Sequence, residues 1–185
     1  MALNVPTITA NKISAGPGRL YLGAAGTTPS TDVGAITEDG IAIEATRETV
    51  HIRQGNPMHS VYAFDKAQDV MISVTGIEWN LVNGPLPVQL GAAATSSSSA
   101  EDVVSFGGDP LPDQWAIKIE HQMHSGQTML VYGWKGVADG GINFSFNHDE
   151  HKFPMKFRLQ RSTTDWAGAA LPSTSQLFRV IYQKT

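Results

Sequence analysis

The chain has 185 residues, no cysteine, a formal net charge of −4, and 41 % hydrophobic against 16 % charged residues. The absence of cysteine excludes disulfides, thiolate catalysis and cysteine-held zinc or iron–sulfur sites. The acidic balance excludes a broad electrostatic grip on phosphate backbones, which needs clustered Lys and Arg.

The length suits one domain, read as 1–185, with arms and loops attached. Residues 1–15 form a mildly polar lead-in without periodicity, read as an N-terminal arm that orders against a neighbour. Gly16-Pro17-Gly18 is a turn and RLYLG, Arg19 to Gly23, a short strand. A loop rich in Gly, Thr and Pro follows to Asp32. Ile41 to Arg53 is the clearest long strand, and its apolar face swaps halfway. Ile41 and Ile43 lie on one side, Val50 and Ile52 on the other. Either a one-residue bulge or a strand leaving one packed environment for another accounts for the swap. Gln54 to His59, QGNPMH, is a loop tip, so 44–69 reads as a projecting hairpin. Val70 to Leu81 is a β-branched strand.

Residues 86–94 are the helix candidate, with Pro87 early and Leu86, Leu90 and Ala93 at helical spacing. TSSSSA, 95–100, is a low-complexity loop. Period-two alternation then marks strands over 115–120, 128–134, 142–146, 153–159 and 176–182. Apolar residues on both faces of the last strand suggest a central position. Short strands, short turns and one helix predict a mainly β fold: an antiparallel sandwich or partial barrel with a flanking helix.

Chemistry-bearing constellations are sparse. His121 with His124, and His148 with His151, have a spacing of three, which on a strand points imidazoles to opposite faces. Both pairs are read as turn residues rather than metal ligands. Glu38, Asp39, Glu44 and Glu48 fit a solvated strand face better than acid–base chemistry. Trp79, Trp115, Trp134 and Trp166 fit core or subunit contacts better than stacking on sugars or bases. No nucleophile elbow, Walker loop or dinucleotide fingerprint occurs. The chain is therefore read as non-enzymatic, without cofactor or metal. Met1 to Lys12 does not have the pattern of a secretory signal, and no apolar run approaches the ~20 residues that cross a bilayer.

The segment Gly16 to Ile43, GPGRLYLGAAGTTPSTDVGAITEDGIAI, resembles the opening of the tail tube proteins (major tail proteins) of bacteriophages with long non-contractile tails, and of related gene transfer agents. The matching pieces are Gly18 to Gly23, the Gly26 to Pro29 loop, and the Glu38-Asp39-Gly40 turn before a long strand. The strand–tip–strand to Leu81 and the helix after it follow in the same order. The resemblance covers roughly the first ninety residues; the second half matches only as generic strands, and the serine-rich segment departs from the pattern.

That resemblance implies a structural virion protein of the phage tail. Its sandwich forms hexameric rings, assembled in the host cytoplasm and stacked into a tube through which DNA is ejected. Implied partners are further copies of itself, the tape measure protein, the tail terminator and the distal tail protein. DNA passes without specific binding, and an acidic lumen would let it slide. Carried over, the inter-ring and subunit contacts fall on Arg53, Gln54, Gly55, Asn56, Pro57, Met58, His59 and Tyr62, with Ile8 and Ile13 of the arm. The alternatives are another phage part (tail terminator, connector or capsid decoration protein) or a carbohydrate-binding β-sandwich of a tail tip.

Overall fold

The computed structural model describes residues 18–78, 88, 95–97, 101–104, 113–123, 126–141 and 151–183. Its strands are β1 (Arg19–Ala24), β2 (Thr31–Asp32), β3 (Ile36–Gln54), β4 (His59–Gly76), β5 (Thr95–Ser97), β6 (Asp102–Val104), β7 (Gln114–Gln122), β8 (Thr128–Ala138), β9 (Phe153–Leu159) and β10 (Phe178–Tyr182). Eight of them form one antiparallel sheet, and β5 and β6 form a separate pair. The protein is mainly β, and the only helical residues described are Val88 and a 3-10 turn at Ser173–Ser175.

Alternation builds these strands. In β9, Phe153, Met155, Phe157 and Leu159 are buried while Lys156 and Arg158 face out, as the period of two requires. Leu20 and Leu22 do the same in β1, and Val70, Ile72 and Val74 in β4. All but Phe153 join one core cluster with Ile117, Ile119 and Val131.

The sheet runs β2-β1-β7-β8-β9-β4-β3, with β10 also paired to β8. The first half of β8 pairs with β10 and its last residues with β9. A register shift against β7, with Trp134 and Lys135 facing the single residue Ala116, marks the changeover; a bulge of this kind bends and twists a strand. Glycine permits the close packing there. A Cβ on Gly136 would sit 2.8 Å from Ile117 Cδ1. The sheet curls far enough that the start of β3 reaches β1 and β7, since a Cβ on Gly18 would meet both Ile41 Cδ1 and Ile119 Cγ2. It does not close: β3 and β7 are not hydrogen-bonded neighbours.

Several expectations are corrected. The long strand begins at Ile36, and the Glu38-Asp39-Gly40 turn is a bulge inside it. The return segment and the following strand are a single strand, β4, that includes His59 and ends at Gly76. The serine-rich segment is not a plain loop, because Thr95–Ser97 pairs with Asp102–Val104. Strand β8 runs on past the expected end at 134 to Ala138, and His121 lies within β7 rather than in a turn. Among the described residues the last strand is not central: β10 pairs there with β8 alone, over five residues, and Val180 is 52 % exposed. Its two apolar faces misled because one of them is uncovered. The arm 1–15, with Ile8 and Ile13, and the strand 142–146 lie outside the described residues. So does the helix 86–94 apart from Val88, which is helical and buried in the core.

Candidate functional site

The feature that the core does not explain is the β3–β4 hairpin. Its strands pair in register from Ile41↔Val74 to Gln54↔His59. Near the base, one face belongs to the core through Val70, Ile72 and Val74. Beyond it the hairpin leaves the domain, and almost every residue from Ala42 to Gln68 is exposed or half-exposed on both faces.

Strand β3 has no bulge of its own between Ile41 and Gln54; the two shifts in this stretch insert residues in β4, at Lys66 and Val61. Parity along β3 therefore holds, and its two faces can be followed to the tip. The core-side face becomes polar as it leaves. Arg47 Nε donates to Asp65 Oδ1 at 2.5 Å, Gln68 donates to the same carboxylate, and His51 lies 3.3 Å from the Ser60 hydroxyl. The hydrogen bond from Arg47 holds the Asp65 carboxyl below its ordinary value, helped by Gln68 and Thr49 and opposed by partial burial.

The opposite face, solvated at the base through Glu44 and Thr46, becomes apolar. Val50 faces Phe64 and Ile52 faces Tyr62 across the strands, and the Tyr62 and Phe64 rings are 6.5 Å apart. Ile52 is 50 % exposed, Tyr62 63 % and Met58, in the tip, 74 %. Scattered exposed apolar residues are ordinary, but a contiguous group of them marks an interaction surface. No bulge in β3 produces the face swap seen in the sequence; the strand leaves the core on one side and carries an exposed apolar patch on the other.

The structure places Arg53, Gln54, Gly55, Asn56, Pro57, Met58, His59 and Tyr62 together at this hairpin end, all exposed. Gly55 supplies the left-handed conformation, φ 101°, that turns the chain. The sequence reading missed Val61 and Phe64 as part of the patch; the position of Phe64 opposite Val50 becomes evident only with the register.

The other candidates among the described residues resolve into structure, and Trp79 lies outside those residues. Trp134, Trp166 and Tyr132 pack on one another, with ring centroids 4.6 to 5.7 Å apart, and Trp134 donates to the Ser175 carbonyl. They form a packed cluster rather than an open platform. Glu48 is paired to Lys66 at 2.9 Å. His121 is buried in β7, while His124 and His148 lie outside the described residues. Among the described residues no group of three His, Asp or Glu converges as a metal site. No family model matches the chain, and no curated protein matches it.

Proposed function

We propose that this chain is a self-assembling structural subunit, a tail tube protein of a long-tailed phage, that forms hexameric rings stacked into a DNA conduit. The observation that carries the proposal is the hairpin's exposed apolar patch, lying on the face opposite the core. A free subunit gains nothing from apolar side chains held there; a subunit that buries them against a copy of itself does. The resemblance of Gly16 to Ile43 to the tail tube opening supplies the kind of assembly.

Two features of the sheet agree with this reading. Strands β3 and β10 each pair on one edge only among the described residues. Unpaired edges are aggregation hazards in a monomer, and a ring removes them by joining sheets between subunits. A contact between two different surfaces repeats without closing on itself, which is how rings stack into a filament. In this proposal the two halves of the curled sheet act as the sandwich, and the arm 1–15 is a further contact. The protein then performs no chemical step and acts in the virion tail beside a tape measure, a terminator and a distal tail protein.

Negative-stain electron microscopy of the purified full chain before and after concentration tests the reading. Rings or hollow tubes with a central channel are expected. Solid aggregates, or a monomer at all concentrations whose tip-deleted variant behaves the same, would overturn it.

A further inference from the structure

The curled sheet leaves an opening between the base of β3 and strands β7 and β8, a cleft of about 400 Å³ lined by the apolar Ile41, Ile43 and Val131 and by the polar side chains of Glu38, Asp39 and the buried His121. The Glu38-Asp39-Gly40 bulge puts the carboxylates there: four residues, 37–40, stand opposite the single residue Thr75, and Gly40 takes a positive φ of 70°. Both carboxylates are exposed, and neither makes an ion pair among the described residues. The apolar lining reaches solvent, since Ile43 is 38 % exposed. Ile119 and Val131 form the buried floor of the cleft, and Val180, opposite Val131 in register, is an exposed apolar residue on the neighbouring strand β10.

The hairpin end has the complementary properties. It offers Ile52, Met58 and Tyr62 as exposed apolar groups. On the opposite face of β3, alongside His51, Arg53 is exposed and makes no ion pair among the described residues, whereas Arg47 and Lys66 lower on the hairpin are both neutralised, so an occupant held between two walls of a cleft could use both faces of the hairpin end. Large exposed apolar residues among those described fall on the hairpin, on β10 and at Val103. Distance decides between cis and trans. From Ile43 at the cleft to Gln54 at the tip is eleven residues of paired strand, about 35 Å at the rise of a strand. A hairpin cannot reach the base of its own stem.

We infer that the acidic apolar cleft at the base of β3 receives the hairpin end of a second copy, with Arg53 of one subunit set against Glu38 and Asp39 of the other. The inference rests on the proposed self-assembly and names the receiving surface. The contact is head-to-tail, so every subunit has one hairpin to give and one cleft to fill. Charge placement sets register and excludes wrong partners, while the apolar groups supply most of the burial.

Charge reversal on each side separates this docking from other modes of assembly. Arg53→Glu and the double variant Glu38→Arg/Asp39→Arg should each fold, shown by unchanged circular dichroism and melting. Each should raise the concentration needed for assembly by about tenfold or more in sedimentation velocity, because like charges then face one another. An equimolar mixture should assemble again. The acidic hairpin of the Arg53→Glu chain meets the basic cleft of the double variant, and the double variant's unchanged Arg53 meets the unchanged acidic cleft of the other chain. If the wild-type chain assembles and the double variant assembles equally well, or the mixture stays as dispersed as its components, the docking site is wrong while the tube reading stands. If the wild-type chain itself never assembles, the tube reading falls first.

Discussion

The two halves of the β3–β4 hairpin obey different rules although they are the same two strands. In the lower half, Val70, Ile72 and Val74 are buried and fixed by the core. In the upper half, Val50, Ile52, Tyr62 and Phe64 are as apolar but are exposed or half-exposed and sit on the other face. One sheet thus carries two hydrophobic selections. The first is buried in the chain's own core, and the second is left exposed to solvent.

Substitutions should separate the halves cleanly. Ile72→Ala, at a fully buried site, should destabilise the fold by about 2–5 kcal/mol through lost burial and a residual cavity, read as a lower melting temperature. Deleting Gly55–Met58 should leave that melting temperature nearly unchanged while abolishing polymerisation; a tip-deleted chain that forms normal tubes would refute the division. Gly136→Ala should cost about 1–3 kcal/mol, because its Cβ would meet Ile117 at 2.8 Å in the core. Tyr62→Ala, by contrast, should stay within about 0.5 kcal/mol of wild type in stability, as exposed positions do, and still weaken assembly.

The smallest effect is on pH. The hydrogen bond from Arg47 depresses the Asp65 carboxyl in the folded chain. The pair therefore supports the hairpin above the ordinary aspartate value of 3.8 and is lost as pH falls through the depressed one. Acidification below that range should quicken amide exchange around Arg47 and Thr49, and Asp65→Asn should remove this step. Both groups are solvent-facing, so the global melting temperature should hardly respond.

The sequence showed the strands whose two faces differ. β1, β7 and β9 are legible because buried Leu20, Ile119 and Phe157 alternate with exposed or half-exposed neighbours. It misplaced β10, because an apolar residue on an exposed edge looks the same in a string as one in a central strand. The hairpin's face swap was visible as parity, Ile41 and Ile43 against Val50 and Ile52, but its meaning was not. That needed the finding that the bulges fall in β4 and leave β3 in phase. The cleft was not legible at all. It is assembled from a bulge at Glu38–Gly40 and residues about eighty positions later in β7 and β8, brought together only by the curl of the sheet.

The most direct test of the central claim is electron microscopy of the concentrated full chain beside the variant lacking Gly55–Met58. The expected result is rings or hollow tubes from the wild-type chain and dispersed, folded monomers from the variant. The claim would be contradicted by two preparations that look alike, either both assembled or both monomeric at the highest concentration reached.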